Sequence, residues 1–421
     1  MTPEIKQRID KICHGEVPEG YQRTFLGIAP KSWDKSRIDK ICRLSSGSTP
    51  RRDAVENFAG DILWVTSGEL KRRTIENTRE KISETAVVNS HLEIYDPGTV
   101  VIAIYGLEAA GIRGTVSIIG KQCTISQACM AFTEFKGIDN EFFYYWYLNN
   151  GQVIGLRYAQ GTKQQNLSTD IVGSFPICFP SQGEQQKIAA ILTTQDKVIE
   201  LKEKRLAEKQ RQKKYLMQQL LTGKKRLPGF NGAWKTDCLG KLFFERKETN
   251  CENIEMLAIT GTQGIIPRKE LDLKDNSSED KSKYLRVCVG DIGYNTMRMW
   301  QGVSAYSNYE GIVSPAYTIL KPSSSINAKY FAYLFKMSEI VFLFYRFSQG
   351  LVDDTRNLKY ENFKKIKVCY PPDMKEQTAI AEVLSAADRE IELFQQDIEQ
   401  EKQKKKALMQ LLLTGIARVK T

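Results

Sequence analysis

Histidine is nearly missing from this chain. Its 421 residues include two, His14 and His91, and nine cysteines, at positions 13, 42, 123, 129, 178, 238, 251, 288 and 369. No two cysteines have CxxC spacing. Zinc needs clustered thiolate, imidazole or carboxylate ligands, so no metal site is expected, and no Ser-His-Asp triad either. The odd thiol count, with no leader-like segment, points to a reducing cytoplasm. No apolar run approaches the ~18 residues of a membrane span. Neither G-x-x-x-x-G-K-[ST] nor G-x-G-x-x-G occurs, which excludes an ordinary P-loop ATPase and the dinucleotide fingerprint. Pro371-Pro372 follows Tyr370, so the Asn/Asp-Pro-Pro-aromatic loop of amino-methyltransferases is not present. Asp353-Asp354 lacks a companion acidic cluster and reads as a turn or a salt bridge. No catalytic residue and no bound cofactor are expected of this chain.

What the chain does contain is one segment written twice. Glu184–Leu227 and Glu376–Val419 align without a gap, 192 residues apart. Glu184-Gln185 matches Glu376-Gln377, and Asp196 matches Asp388. Lys213-Lys214-x-Leu216-Met217-Gln218-x-Leu220-Leu221-Thr222-Gly223 recurs as Lys405-Lys406-x-Leu408-Met409-Gln410-x-Leu412-Leu413-Thr414-Gly415. A repeat of this period implies two copies of one structural unit. Similar text precedes each copy, ending Ile177-Cys178-Phe179-Pro180 and Val368-Cys369-Tyr370-Pro371: a short strand, then a proline break before a helix.

Both copies carry a heptad seam. It comprises Ile188, Leu192, Ile199, Leu206, Leu216 and Leu220 in the first, and Ile380, Leu384, Ile391, Phe394, Ile398, Leu408 and Leu412 in the second. Lys213 and Lys405 occupy one equivalent seam position, where a polar residue lowers stability but fixes register. Gly223 and Gly415 fall where a left-handed cap would end each helix. A helix of some 35 residues cannot bury its own stripe. Pairing the two copies within the chain is the simplest solution; pairing each with a separate protein is the alternative.

Five segments follow: 1–20, a short amphipathic helix with Ile5, Ile9 and Ile12; 21–180, a globule; 181–227, a helix; 228–370, a second globule; and 371–421, a second helix. Residues 1–20 are expected either to pack on the coiled coil or to meet a partner. Short β-like runs (61–65, 99–104, 115–119, 311–314) and late aromatic helical blocks (141–148, 329–335) make each globule α+β, with the aromatics read as core. Trp33 and Trp234 sit near the two starts. The expected fold is α+β: two globular recognition domains separated by two long helices in an antiparallel coiled coil, as a pseudo-twofold repeat.

Lys+Arg number 61 against Asp+Glu 50, a net charge of +11, which suits a polyanionic partner. Residues 202–226 hold ten Lys/Arg against two Glu. That stretch reads equally as a contact surface or as a solvated helix face.

The order of globule, helix, globule, helix resembles the specificity subunit of a type I restriction–modification enzyme. Matching text includes Gly47-x-Thr49-Pro50, Gly60-Asp61-Ile62-Leu63-Trp64-Val65, Gly68-Glu69-Leu70, both Glu-Gln helix starts and both Leu-Met-Gln-x-Leu-Leu-Thr-Gly endings. The second globule departs from the pattern, with Gly261-Thr262-Gln263-Gly264-Ile265-Ile266-Pro267 in place of the Gly-x-Thr-Pro and Trp-Val pair. The resemblance implies a non-catalytic, cytoplasmic subunit in which each globule is a target recognition domain reading one half of an asymmetric split site in double-stranded DNA. It implies that the helices set the spacer and dock two methyltransferase subunits. Those subunits use S-adenosylmethionine to methylate adenine N6. Two ATP- and Mg-dependent restriction subunits are optional further members. The competing reading is a non-catalytic coiled-coil scaffold that binds protein partners.

DNA contacts are expected from Lys and Arg at phosphates and from Arg, Asn and Gln at base edges. Candidates in the first globule are Arg51, Arg52, Lys71, Arg72, Arg73, Arg113, Lys163, Gln164, Gln165 and Asn166. In the second they are Arg268, Lys269, Arg298, Gln301 and Arg356.

Overall fold

The computed structural model describes residues 2–104, 115–158, 167–251, 254–261, 263–271 and 280–419. The chain divides into two compact units, Met1–Leu201 with Ile398–Thr421, and Lys202–Asp397. Segmentation by covalent order, with boundaries at 181–227 and 371–421, keeps each long helix whole. Compactness follows side-chain burial instead, so both long helices, Gln182–Leu220 and Met374–Leu413, are shared between the units.

In unit 1 a five-stranded sheet runs in the order Arg43–Ser46, Cys129–Thr133, Val100–Ala103, Val116–Ile119, Thr74–Ile75. Val100, Val101, Ile102 and Ala103 are all buried, because this central strand is covered on both faces. A three-stranded sheet, Cys123–Ile125, Ile62–Val65, Lys81–Ile82, packs beside it. Gly47 lies where an added Cβ would stand 2.0 Å from the Ile125 carbonyl oxygen, and Trp64 Nε1 donates to the Ser48 carbonyl at 3.2 Å. That close approach gives the Gly-x-Thr-Pro and Trp-Val texts one physical purpose. The aromatic helix Asn140–Tyr158 buries Phe142 through Tyr147 in the main core of the unit, which also takes in Ile188, Leu192 and Leu412.

Unit 2 is built on a four-stranded antiparallel sheet, Phe243–Glu245, Tyr317–Pro322, Ile292–Asn295, Ser304–Tyr306. The segment that breaks the Gly-x-Thr-Pro pattern belongs to a separate strand pair, Leu257–Thr260 with Gly264–Pro267. The helix Ala328–Leu334 buries Tyr330, Phe331 and Leu334 in a core shared with Leu220, Ile380 and Leu384.

Each globule is closed by the same device. Its entry strand pairs antiparallel with the strand just before its long helix: Asp34–Arg37 with Pro176–Phe179, and Lys235–Cys238 with Lys367–Tyr370. Within each unit the long helices pair antiparallel. Unit 1 sets Asp196 against Lys405 and Gln195 against Glu401. Unit 2 sets Lys202 against Asp397, Lys209 against Glu390 and Lys213 against Asp388. Pairing within the chain is therefore the solution adopted.

The helix Pro3–Cys13 is capped by Thr2 and buries no residue fully. Arg8 ties it to unit 1 by donating to the Ile416 carbonyl at 2.9 Å. Among the described residues no helix is long and apolar enough to cross a membrane.

Candidate functional site

The repeated segment owes its conservation between the two copies to a grip that each globule exerts on the helices. Gln185 is fully buried: its Oε1 accepts from the Asp139 amide at 2.7 Å and its Nε2 donates to the Pro180 carbonyl at 2.8 Å. Gln377 does the same with the Asn327 amide at 2.7 Å and the Pro371 carbonyl at 2.9 Å. An apolar residue here would strand buried backbone groups, at about 1–3 kcal/mol each. The preceding glutamates, Glu184 and Glu376, have side chains only 3% exposed, and each receives a bidentate arginine fork. Arg418 bonds Glu184 at 2.8 and 2.7 Å, and Arg226 bonds Glu376 at 2.6 and 2.7 Å. Fork pairing supplies both charge and geometry.

The helix endings are gripped as well. Gly223 and Gly415 adopt φ of 71° and 70°, left-handed caps that a side chain would strain. A Cβ on Gly415 would stand 2.5 Å from Pro30 and 2.9 Å from the Trp33 ring, and one on Gly223 would stand 3.3 Å from the Trp234 ring. The two tryptophans thus cap equivalent turns.

A third element joins helix to helix to globule. In unit 1, Lys405 pairs with Asp196 at 2.5 Å, and the Tyr145 hydroxyl donates to the same carboxylate at 2.7 Å. In unit 2, Lys213 pairs with Asp388, and Tyr333 donates to it at 2.6 Å. Burial and the neighbouring carboxylate push both phenols well above their usual range, so both remain donors. Sequence reasoning marked the lysines and aspartates as repeated but missed their partners. Arg226 and Arg418 are also repeated at equivalent positions, a signal that was available.

Of the seam residues, Ile188, Leu192, Ile199, Leu220, Ile380, Leu384, Ile398 and Leu412 are buried, and Leu206, Leu216, Ile391, Phe394 and Leu408 are half-buried.

The DNA candidates fall into distinct environments. Arg73 turns inward, bonds Glu141, and lies 3.8 Å from Asp196 and over the Tyr144 and Tyr145 rings. Its charge is engaged within the unit, by Glu141 and Asp196. Arg52 bonds Glu80 and stacks on Phe58 and Trp64, and Arg51 pairs with Asp53 at 2.7 Å. Lys71 and Arg72 are exposed. Lys269 is exposed and paired to Glu255, and Arg268 is half-buried. Arg356 stacks 4.1 Å over Tyr345, whose ring lies 6.2 Å from Trp300, and Arg298 and Gln301 are exposed on either side of Trp300 in sequence. Arg113, Lys163, Gln164, Gln165 and Asn166 lie outside the described residues. No group of three potential metal ligands occurs among the described residues.

Comparison with known proteins follows the same two-part division. The profile of the type I restriction modification DNA specificity domain matches residues 30–211 and again 240–403. Over 188 residues the chain is 30% identical to the type I restriction enzyme MjaIX specificity subunit of Methanocaldococcus jannaschii, covering 44% of this chain and 42% of that protein. Over 175 residues it is 24% identical to the EcoR124I/EcoR124II specificity subunit of Escherichia coli, covering 41% of this chain and 43% of that one. The matched stretches thus span less than half of each relative. In fold, the chain is similar to the S subunit of a type I restriction–modification system from M. genitalium, with a TM-score of 0.56, 14% identity, and coverage of 92% of this chain and 97% of that one. A structure reported for complex assembly and conformational transition of the type I system gives a TM-score of 0.55 at 14% identity, covering 92% and 99%. With both halves matched by one profile, the chain belongs to the type I restriction modification DNA specificity domain family and carries that domain twice.

Proposed function

We propose that the chain is the non-catalytic, sequence-specific DNA-binding subunit of a type I restriction–modification complex. Each globule reads one half of an asymmetric bipartite site. The paired helices set the spacer and dock two methyltransferase subunits, which carry the S-adenosylmethionine chemistry; ATP- and Mg-dependent restriction subunits are optional further members of the complex. The cytoplasm is where such a complex meets its DNA. One observation carries this reading: the same family profile matches two globules that grip their helices with the same side chains but present different sequences elsewhere. Two modules reading one face of a duplex must be offset by about one helical turn, ~10 bp, or a multiple. Exposure supports Lys71, Arg72, Arg298 and Gln301 as the first candidates to test for DNA contact.

The test is adenine-methylation mapping in cells carrying the methyltransferase partner, with and without this gene. The expected result is a new motif of two unlike half-sites around a fixed gap. No new mark, with complex formation verified, would favour the protein scaffold.

A further inference from the structure

The two grips differ in charge at one place. In unit 1 Arg73 bonds Glu141 on the aromatic helix and lies 3.8 Å from Asp196 on the long helix. Tyr145 on Asp196 and Tyr333 on Asp388 align the two helical blocks in space, so Glu141 corresponds to Lys329 and Leu148 to Lys336. Where unit 1 has a carboxylate and a leucine, unit 2 has two lysines. A groove of about 1260 Å³ opens there, bounded by Lys213, Lys214, Lys329, Lys336, Ser304 and Tyr306.

Four lysines line this groove against two acids, Asp388 and Glu392. Asp388, on its wall, is taken by Lys213 and Tyr333. Against the remaining acid, Glu392, stand Lys214, Lys329 and Lys336, none with a carboxylate partner among the described residues. The Lys336 ammonium donates to the Gly302 carbonyl at 2.8 Å. Burial of that ammonium, and then the charge of Lys213, push its pKa down to about 8. Lys329 lies 5.7 Å from the Tyr306 ring centre. Ser304 is 1% exposed, and its Oγ has no hydrogen-bond partner.

We propose that this groove binds a phosphate-bearing ligand, whose oxygens take the place that the Glu141 carboxylate holds in unit 1. A phosphoryl group offers close to two charges and three acceptor oxygens, which suits several ammonium donors and a hydroxyl better than one carboxylate does. Lysine binds phosphate as a point charge without demanding planar geometry. Met217, Met337, Val341 and Ile391 on the same walls supply apolar surface for a nucleoside, and the volume accommodates a mononucleotide. Free nucleotides and the sugar–phosphate strand of DNA share this chemistry.

Calorimetric titration of the full chain with pyrophosphate, and with ATP in EDTA, tests the proposal. Binding is expected, weakened at least about tenfold in Lys329→Glu and Lys336→Met. Lys329→Gln serves as a milder variant, and thermal melting verifies the fold of each. The Lys336 amine, followed by NMR, should titrate at higher pH once pyrophosphate is bound. A short random duplex separates the sources: competition with pyrophosphate assigns the groove to DNA backbone, and its absence assigns the groove to a free ligand. Pyrophosphate, ATP and duplex binding all indifferent to both substitutions at matched ionic strength would overturn the proposal. So would a loss confined to polyglutamate binding, which would mark the groove as a dock for acidic peptide.

Discussion

Unit 1 builds its globule on a five-stranded and a three-stranded sheet, unit 2 on a four-stranded sheet and separate strand pairs, yet both hold their helices with the same side chains. A buried glutamine binds backbone groups of its globule, a buried glutamate takes an arginine fork, and a tyrosine shares an aspartate with a lysine. The repeated sequence is thus a packing specification, and the unlike sequence between the copies is what that specification leaves free. Charge diverges where the specification ends: Arg73 and Glu141 pair in unit 1, whereas at the equivalent blocks unit 2 carries Lys329 and Lys336 on a lysine-rich groove.

The largest test of that equivalence is at the arginine forks. Removing Arg226 leaves the Glu376 carboxylate buried and unpaired, so Arg226→Ala should cost about 3–5 kcal/mol in chemical denaturation of the full chain. Arg418→Ala should cost less, because Arg418 is 41% exposed against 25% for Arg226. Equal losses would show that water does not rescue Glu184. Next come Leu192→Ala and Leu384→Ala, one per core and both fully buried, each expected to cost about 3 kcal/mol. A large inequality would mean that one core collapses around the cavity better than the other. Tyr145→Phe and Tyr333→Phe each delete a donor to a charged acceptor, for about 1.5–3 kcal/mol. A neutral result in one unit alone would break the correspondence there.

Smaller still is a pH effect confined to unit 2. Lys336 holds its proton less tightly folded, with pKa about 8, than unfolded, where a lysine titrates near 10.4. The unfolded chain therefore binds more protons between pH 8 and 10, and this group's contribution raises stability as pH climbs through that window. Subtracting the pH profile of Lys336→Met from that of the wild type should isolate the rise; a flat difference would place the ammonium in open water. At the low end, Arg51→Ala should change stability by under about 0.5 kcal/mol, since both partners of its ion pair are exposed.

Much of this frame is legible in the sequence because it is written in periodic or repeated residues. The heptad apolars, the glycine caps at 223 and 415, the runs at 61–65 and 99–104 and the aromatic blocks all appear where local patterning places them. Direction is harder to read. Arg73 follows Lys71 and Arg72, and nothing local distinguishes a cation pointing to solvent from one bonded to Glu141, 68 residues away. Arg52 likewise finds Glu80 and two rings only through tertiary folding. Tyr145 and Tyr333 sit in blocks that read correctly as core, and their hydroxyls acquire a role only because the long helices bring aspartates to them.

Unit 2 is contiguous in sequence, whereas unit 1 needs Ile398–Thr421 to finish what residues before Leu201 begin. During synthesis this imposes an order. Unit 2 can close as soon as Asp397 leaves the ribosome. The first globule must wait while the intervening 196 residues are made, roughly 10–40 s at usual elongation rates. Through that interval Ile188 and Leu192 lack Leu412 and Leu413, and Glu184 lacks Arg418. The nascent chain therefore carries an uncovered apolar stripe and an unpaired carboxylate in its earlier half until its last residues are made.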